Sequence, residues 1–449
     1  MAGLNSTLVP QQNSALSRCC RFVLAGTALS FVLTTTTHAE DWPTFRGAHR
    51  SAVSSDTGLL ESWPEGGPPL VWKGSGAGRG YAELAVANGR IFTLGDGPST
   101  ADDRDEYLTC FDQKTGKQLW KARTGAPWTE GKPDWQSARS TPSIDKDLVF
   151  VLTPQGELVC CQTEDGAEVW RKNFKKTFGG VKADSWGYSE SVLVDGDRVI
   201  CTPGGKKSTM VALNRTNGDV IWTCTRPEDI GAGHSSIVIS EIGGTKVYVQ
   251  STGSGPLGVR ASDGELLWSY PIDKTTAVIP TPIVRDDLVF FVAGYKRGGA
   301  LLKQIPGPDQ TVRIEEVYPL KVKLANKHGG VVLVGDYLYG DSDDAGIPYC
   351  ASLMTGEIQW ADRGSGRGSA CVAAADGHLY FLFANGKMCL VKASPEKYEE
   401  VSSFQVPDSG DRPSWSHPVI VDGKLYLREQ DTILCYDLRQ ESRKQARVQ

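Results

Sequence analysis

Eight times along the chain a two-residue turn is flanked on both sides by apolar pairs, at Asn88-Gly89, Lys146-Asp147, Asp195-Gly196, Gly243-Gly244, Asp286-Asp287, Gly335-Asp336, Asp376-Gly377 and Asp422-Gly423. Asn, Asp and Gly accept the positive φ of tight turns, so each site reads as a β-hairpin. A second pattern runs in step with the first. Gly followed four residues later by Trp occurs at Gly116/Trp120, Gly166/Trp170, Gly218/Trp222, Gly264/Trp268 and Gly356/Trp360, with Trp spacings of 50, 52, 46 and 92. Because 92 is two periods of 46, a unit without its Trp is expected near Val312 to Tyr318. The fullest copy, Cys110-Phe111-Asp112 through Thr115-Gly116 to Trp120, reads as a strand, a tight turn and a second strand ending in Trp. Hairpin, connection, hairpin makes four antiparallel strands in about 45 residues, the size of a propeller blade.

The two ends of this pattern complement each other. The last unit, Val419 to Leu438, has no Trp strand after its third strand, whereas Pro69-Leu70-Val71-Trp72 is a Trp strand with no unit before it. Pairing the two removes the open edges of the sheet. The expectation is an all-β fold: an eight-bladed β-propeller of four-stranded antiparallel blades over residues 69–438, closed by the N-terminal strand in the C-terminal blade. Residues 40–68 form an N-terminal leader segment, and residues 439–449, without apolar pattern, a frayed tail.

The Ala-x-Asp-x-x-x-Gly-x-x-x-Trp pattern, clearest at Cys110-Phe111-Asp112 through Trp120, resembles the tryptophan-docking repeat of quinoprotein-type eight-bladed propellers. That superfamily includes periplasmic pyrroloquinoline quinone (PQQ) dehydrogenases and a non-catalytic scaffold of the outer-membrane β-barrel assembly machinery. Asp41-Trp42-Pro43-Thr44-Phe45-Arg46-Gly47, Trp186-Gly187-Tyr188-Ser189 and Pro203-Gly204-Gly205-Lys206-Lys207 are similar to segments of secreted bacterial PQQ-like repeat proteins. The resemblance implies the fold and an extracytoplasmic location; it leaves function to the site.

The first 39 residues agree with export. Arg18 and Arg21 precede an apolar run from Phe22 to Leu33, and Thr37-His38-Ala39 ends in small residues, which places cleavage of a signal peptide after Ala39. The chain of 449 residues has 48 basic and 53 acidic residues, and losing the two arginines of the signal leaves the mature protein near −7. Without a basic patch, nucleic acid is not an expected partner, and no transmembrane segment is expected in the mature chain. A periplasmic or secreted monomer follows.

Candidate chemistry is sparse. Cys160-Cys161 resembles the adjacent cysteine pair of alcohol-oxidising PQQ enzymes, but Cys110, Cys160, Ala212, Gly258 and Cys350 all stand ten residues before their Trp, a slot for small residues on a strand. Consecutive strand residues face opposite ways, so the two cysteines are expected to remain unbonded. Gly74 to Gly80, Pro203 to Lys207 and the acidic Asp341, Asp343 and Asp344 read as turns and a solvated loop. No G-x-S-x-G or H-E-x-x-H motif is present.

The informative residues stand just before the first strand of each blade, in lead-in segments that converge on the channel mouth. They include Tyr81, Arg139, Trp186 and Tyr188, His234, Lys327 and His328, Arg367, and Trp415 and His417. His234, His328 and His417 enter from alternate blades and are expected to face the axis from three sides; with Arg139, Lys327 and Arg367 they would favour an anion, and Trp186 and Trp415 would stack on a planar one. The expected function is a non-catalytic binding or scaffold module whose ligand is a protein or a small anion. The alternative is an oxidoreductase using PQQ and a divalent cation, for which Glu83, Glu190 and Asn326 are the nearest oxygen ligands.

Overall fold

A computed structural model of the protein describes residues 40–97, 105–273 and 275–440; the expected signal peptide and residues 441–449 of the expected tail lie outside the described residues. Eight four-stranded sheets are present, each antiparallel and each built from strands consecutive in sequence, except the last. Blades 1 to 7 span residues 85–125, 143–173, 193–224, 238–269, 283–321, 332–361 and 370–405. Blade 8 combines residues 419–437 with β1, Leu70–Ser75, which pairs with Thr432–Asp437 and sets Trp72 opposite Cys435. The expected closure is therefore the one adopted. Seven hairpin turns fall where the sequence places them; in blade 3 Asp195 pairs with Arg198, which moves the turn one residue to Gly196-Asp197. Arg439 and Gln440 are held to the leader by bonds to Leu59 and Gly58 and do not fray.

Apolar burial lies between blades. Phe92 and Leu108 of blade 1 pack with Val149 and Val159 of blade 2, and similar clusters fill the other interfaces. The second strand of a blade is covered on both faces, hence continuous apolar runs such as Leu148–Leu152.

Each indole is shared between neighbouring blades. Trp72, Trp120, Trp170 and Trp222 donate Nε1–H to the carbonyls of Gln113, Thr163, Arg215 and Ala261 in the following blade, at 3.2, 3.3, 2.9 and 3.1 Å. Their rings lie on Gly116, Gly166, Gly218 and Gly264, where a Cβ would come within 2.4 to 2.8 Å of the ring. Only glycine admits that approach, and its φ is positive at all four. The small-residue slot has the same origin: Cys110, Cys160, Ala212, Gly258 and Cys350 are the direct cross-strand partners of the Trp residues. Cys160 and Cys161 face Phe150 and Val149 on adjacent rungs, and all nine cysteines among the described residues are buried and free.

Two blades depart from the pattern. In blade 5 Tyr318 takes the indole's place on Gly356, opposite Leu301 where other blades have a small residue, so a smaller ring is offset by a larger partner. Blade 7 carries Ser403 opposite Cys389, and Trp63 of the leader covers the gap. Its backbone N–H donates to Ser402 Oγ at 2.9 Å and its ring meets Tyr380 and Phe404 at 5.8 and 5.4 Å.

Replacing Trp72 by Ala should lower stability by about 3 kcal/mol, the usual loss for a large ring in a packed contact. Val71→Thr, on the exposed face of the same strand, should change it by under about 0.5 kcal/mol. Thermal melts of the two variants check this, and equal shifts would show that closure does not rest on the indole.

Candidate functional site

The leader crosses the central channel. Trp42 exchanges two backbone hydrogen bonds with Val86 on the inner strand of blade 1, at 2.8 and 2.7 Å. The chain then turns tightly through Gly47, whose φ is 82° and whose Cα faces the Trp42 ring. From this turn Arg46 sends Nη2 to Val331 O at 2.6 Å, and Arg50 sends Nη1 and Nη2 to Ser191 O and Val192 O at 2.7 and 2.5 Å. These carbonyls stand just before the inner strands of blades 6 and 3, where no neighbouring strand can satisfy them. Guanidinium, with five fixed donors, can. Burial lowers both arginines to about 10, so they remain charged at neutral pH. Phe45, between Trp42 and Arg46, forms part of the floor of a cavity above.

That cavity, of about 370 Å³, is lined from the lead-in segments of all eight blades. Of the ten residues expected at the mouth it gathers eight: Tyr81, Arg139, Trp186, His234, Lys327, His328, Trp415 and His417. Tyr188 is not among them. It points into the interface of blades 2 and 3, with Oη donating to Pro203 O at 2.9 Å and its ring edge-on to Phe174. Alternation along the extended lead-in turns Tyr188 inward and Ser189 to the cavity. Arg367 is exposed, its guanidinium spent on the carbonyls of Gly364 and Gly366 in its own turn, and Gly368 and Ser369 line the wall instead. Trp135 and Tyr295 also line the wall. Tyr295 sits in a hairpin of blade 5 with a φ of 54°, outside any lead-in, which is why no lead-in pattern marks it.

Aromatic rings form two chains around the cavity. Trp135, Trp186 and His234 follow one another at 5.9 and 6.3 Å. Tyr81, Trp415 and His328 do so at 5.1 and 4.4 Å, the last pair stacked. The Lys327 ammonium lies 4.3 Å from the centre of the Tyr295 ring. Arg139 donates to Trp186 O at 3.0 Å, and burial lowers it to about 10, still cationic.

The three histidines are not equivalent, contrary to the sequence expectation. His328 and His417 share one wall: His328 lies on Trp415 with Nδ1 2.9 Å from Ser369 Oγ, and His417 is hydrogen-bonded to the His328 backbone. His417 also meets Phe45 edge-on at 5.0 Å. Burial pushes His417 down to about 3, so it is neutral, and its buried Nδ1 has no partner among the described residues; neither has Trp415 Nε1. His234 belongs to a separate network, with Nδ1 2.5 Å from Ser189 Oγ and Nε2 2.8 Å from Asp184 Oδ2. Both its nitrogens are occupied, and it cannot also ligate a metal.

The oxygen ligands nominated for a divalent cation beside a quinone do not come together. Glu83 accepts from Trp42 Nε1 and the Arg46 N–H in blade 1; Glu190 accepts from Thr202 and Gln250 across blades 3 and 4; Asn326 donates to Asp341 at 2.7 Å. The three nominated oxygen ligands thus lie in separate buried networks, and among the described residues no three His, Cys, Asp or Glu side chains are grouped to hold a metal. The other polar motifs are likewise satisfied internally. The Gly76 and Gly78 amides bind the Asp431 carboxylate, and Gly205 N–H binds Asp229. Asp341, expected in a solvated loop, is fully buried and accepts from Ala370 N–H.

Residues 104–362, more than half of the chain, match the family described as outer membrane protein assembly factor BamB. Among solved structures the chain is similar to BamB from Moraxella catarrhalis, at 14% identity over 83% of this chain and 98% of that chain, with a TM-score of 0.56. It is similar also to the quinohemoprotein alcohol dehydrogenase from Comamonas testosteroni (12% identity, 88% and 80% covered, TM-score 0.60) and to a europium-containing methanol dehydrogenase (12%, 86% and 89%, TM-score 0.61). At such identities the likeness is one of fold. None of the curated proteins matches the sequence.

Burial raises Glu83, Glu106 and Glu190 to about 8, and Asp341 and Glu429 to about 7. Between the ordinary carboxylate range and pH 8 the folded protein therefore binds more protons than the unfolded chain, and stability falls as pH rises. His234 and His417, held down by burial, oppose this only below pH 6.5. The melting temperature should fall from pH 6.5 to pH 8, and Glu83→Gln should be neutral or stabilising at pH 8 with a shallower slope. A melting temperature that climbs over this interval would contradict the assignment.

Proposed function

The chain belongs to the family of outer membrane protein assembly factor BamB, and from that premise we propose that it is an exported binding propeller, working in the periplasm or outside the cell after cleavage behind Ala39. Its cavity takes a small planar anion, free or carried as an aromatic acid group on a partner. The observation that carries this reading is the combination of Arg139 and Lys327 with two chains of rings in one blind cup, where His417 Nδ1 and Trp415 Nε1 are left for a ligand. Nearly all of a flat molecule's surface can be buried there, and the cations balance its charge. In a protein of net charge −5 a cationic cup is a local exception that draws anions.

The alternative, a PQQ-dependent periplasmic oxidoreductase, has the shared fold in its favour. The separation of Glu83, Glu190 and Asn326 speaks against it.

Titration with 2-naphthoate, a planar aromatic carboxylate, should quench tryptophan fluorescence saturably. Trp415→Ala and Arg139→Gln should each weaken binding roughly tenfold, the equivalent of about 1.4 kcal/mol. Absence of saturable quenching would overturn the reading. PQQ added with calcium distinguishes the alternative, which requires calcium-dependent binding and alcohol-driven reduction of a dye.

A further inference from the structure

His234 joins two groups in a way that a ligand pocket alone does not require. Its Nε2 faces Asp184 Oδ2 at 2.8 Å and its Nδ1 faces Ser189 Oγ at 2.5 Å, while Ser189 and His234 both line the cavity. Asp184 fixes the tautomer. Burial would raise this carboxyl, but His234, Lys182 and the Trp186 N–H prevail and hold it well below the usual carboxylate range. An ionised Asp184 takes the Nε2 proton as acceptor, which leaves the Nδ1 lone pair directed at the serine hydroxyl.

All three side chains are held by surrounding structure. Asp184 Oδ1 accepts from Trp186 N–H at 3.1 Å, and His234 N–H is bonded to Val278 O at 2.6 Å. Ser189 follows Tyr188, anchored at its N–H to Pro154 O and at its hydroxyl to Pro203 O, both at 2.9 Å. Gly187 permits the turn that brings these together: its φ is 75°, and a Cβ there would lie 2.9 Å from Pro154. A nucleophile, a base and a group that orients the base are thus arranged on one rigid wall.

We propose that Ser189, His234 and Asp184 make the cup an acyl-transfer site, with small esters of aromatic acids as the substrate class. This rests on the cup being a ligand site and adds covalent chemistry to it. Ser189 Oγ attacks the ester carbonyl while its proton passes to His234 Nδ1. The imidazolium gives that proton to the departing alkoxide as the C–O bond breaks, leaving an acyl-serine. Water then attacks by the same route, its proton passing through His234 back to Ser189 Oγ, and the aromatic acid is released. Asp184 is a positioning residue. Arg139, bonded to the Trp186 carbonyl on this wall, is the cavity cation available to the developing oxyanion and to the carboxylate product.

A fluorophosphonate tests this, because it forms a stable adduct only with an activated serine, with loss of fluoride. Peptide mass spectrometry of the treated protein should find one phosphonate, on Ser189. Ser189→Ala should abolish it, and His234→Gln should slow labelling about 100-fold, within the usual range for a general base. His234 is faced by Asp184 and Lys182 from the blade 3 lead-in and Arg139 from the blade 2 lead-in, and burial, followed by Lys182, lowers it to about 4. Labelling should therefore be flat from pH 5 to 8 and fall below about pH 4. In the wild-type protein, independently of any variant, 2-naphthoate should slow labelling. No adduct on Ser189, or one whose rate ignores His234→Gln in a folded variant, overturns the proposal. If 2-naphthoate still quenches tryptophan fluorescence in that case, cup binding stands without the chemistry; if it does not, both fall.

Discussion

The whole molecule depends on an indole laid on a glycine of the next blade. At four junctions the ring is so close to the turn that no Cβ could stand between them, and Nε1–H takes a carbonyl of the same turn. The contact therefore sets both the distance and the angle between blades. Repeated around a closed ring, it brings all eight lead-in segments to a common axis, which is what turns side chains far apart in sequence, such as Arg139 and His417, into walls of one cavity.

The pattern of apolar and turn residues made this ring legible because packing in a propeller is periodic: each unit repeats the same local interactions, and each repetition leaves the same residues. Position in a lead-in was legible for the same reason. What escaped the pattern is what the protein does only once. Tyr318 and Trp63 replace a missing indole by different means, one within its blade and one from outside the ring. Arg46 and Arg50 act through carbonyls contributed by blades 6 and 3, and backbone acceptors have no side-chain signature. Tyr188 and Arg367 show the limit from the other side: a residue's place in a lead-in determines its neighbourhood, while the turn of the backbone and the nearest free carbonyl decide where its side chain goes.

Charge is handled in two ways. The arginines of the leader are buried and stay cationic because backbone carbonyls surround them, whereas Glu83, Glu190 and Asp341 are buried among too few donors to keep their charge easily. The result is a channel whose interior favours cations over carboxylates even though the chain as a whole is acidic. An anion reaching the cup meets this bias from the walls and from beneath.

The leader also orders events in time. Its bonds reach blades 1, 2, 3, 6, 7 and 8, and the strand that follows it completes a sheet whose other three strands come from the far end of the chain. Residues 40–75 consequently cannot complete their bonds until blades 7 and 8 exist. Such long-range pairing is slow, and a chain cut short by synthesis or proteolysis keeps both a loose leader and an unpaired outer strand. Docking of residues 40–75 is thus complete only in an intact ring, which alone can put its own beginning away.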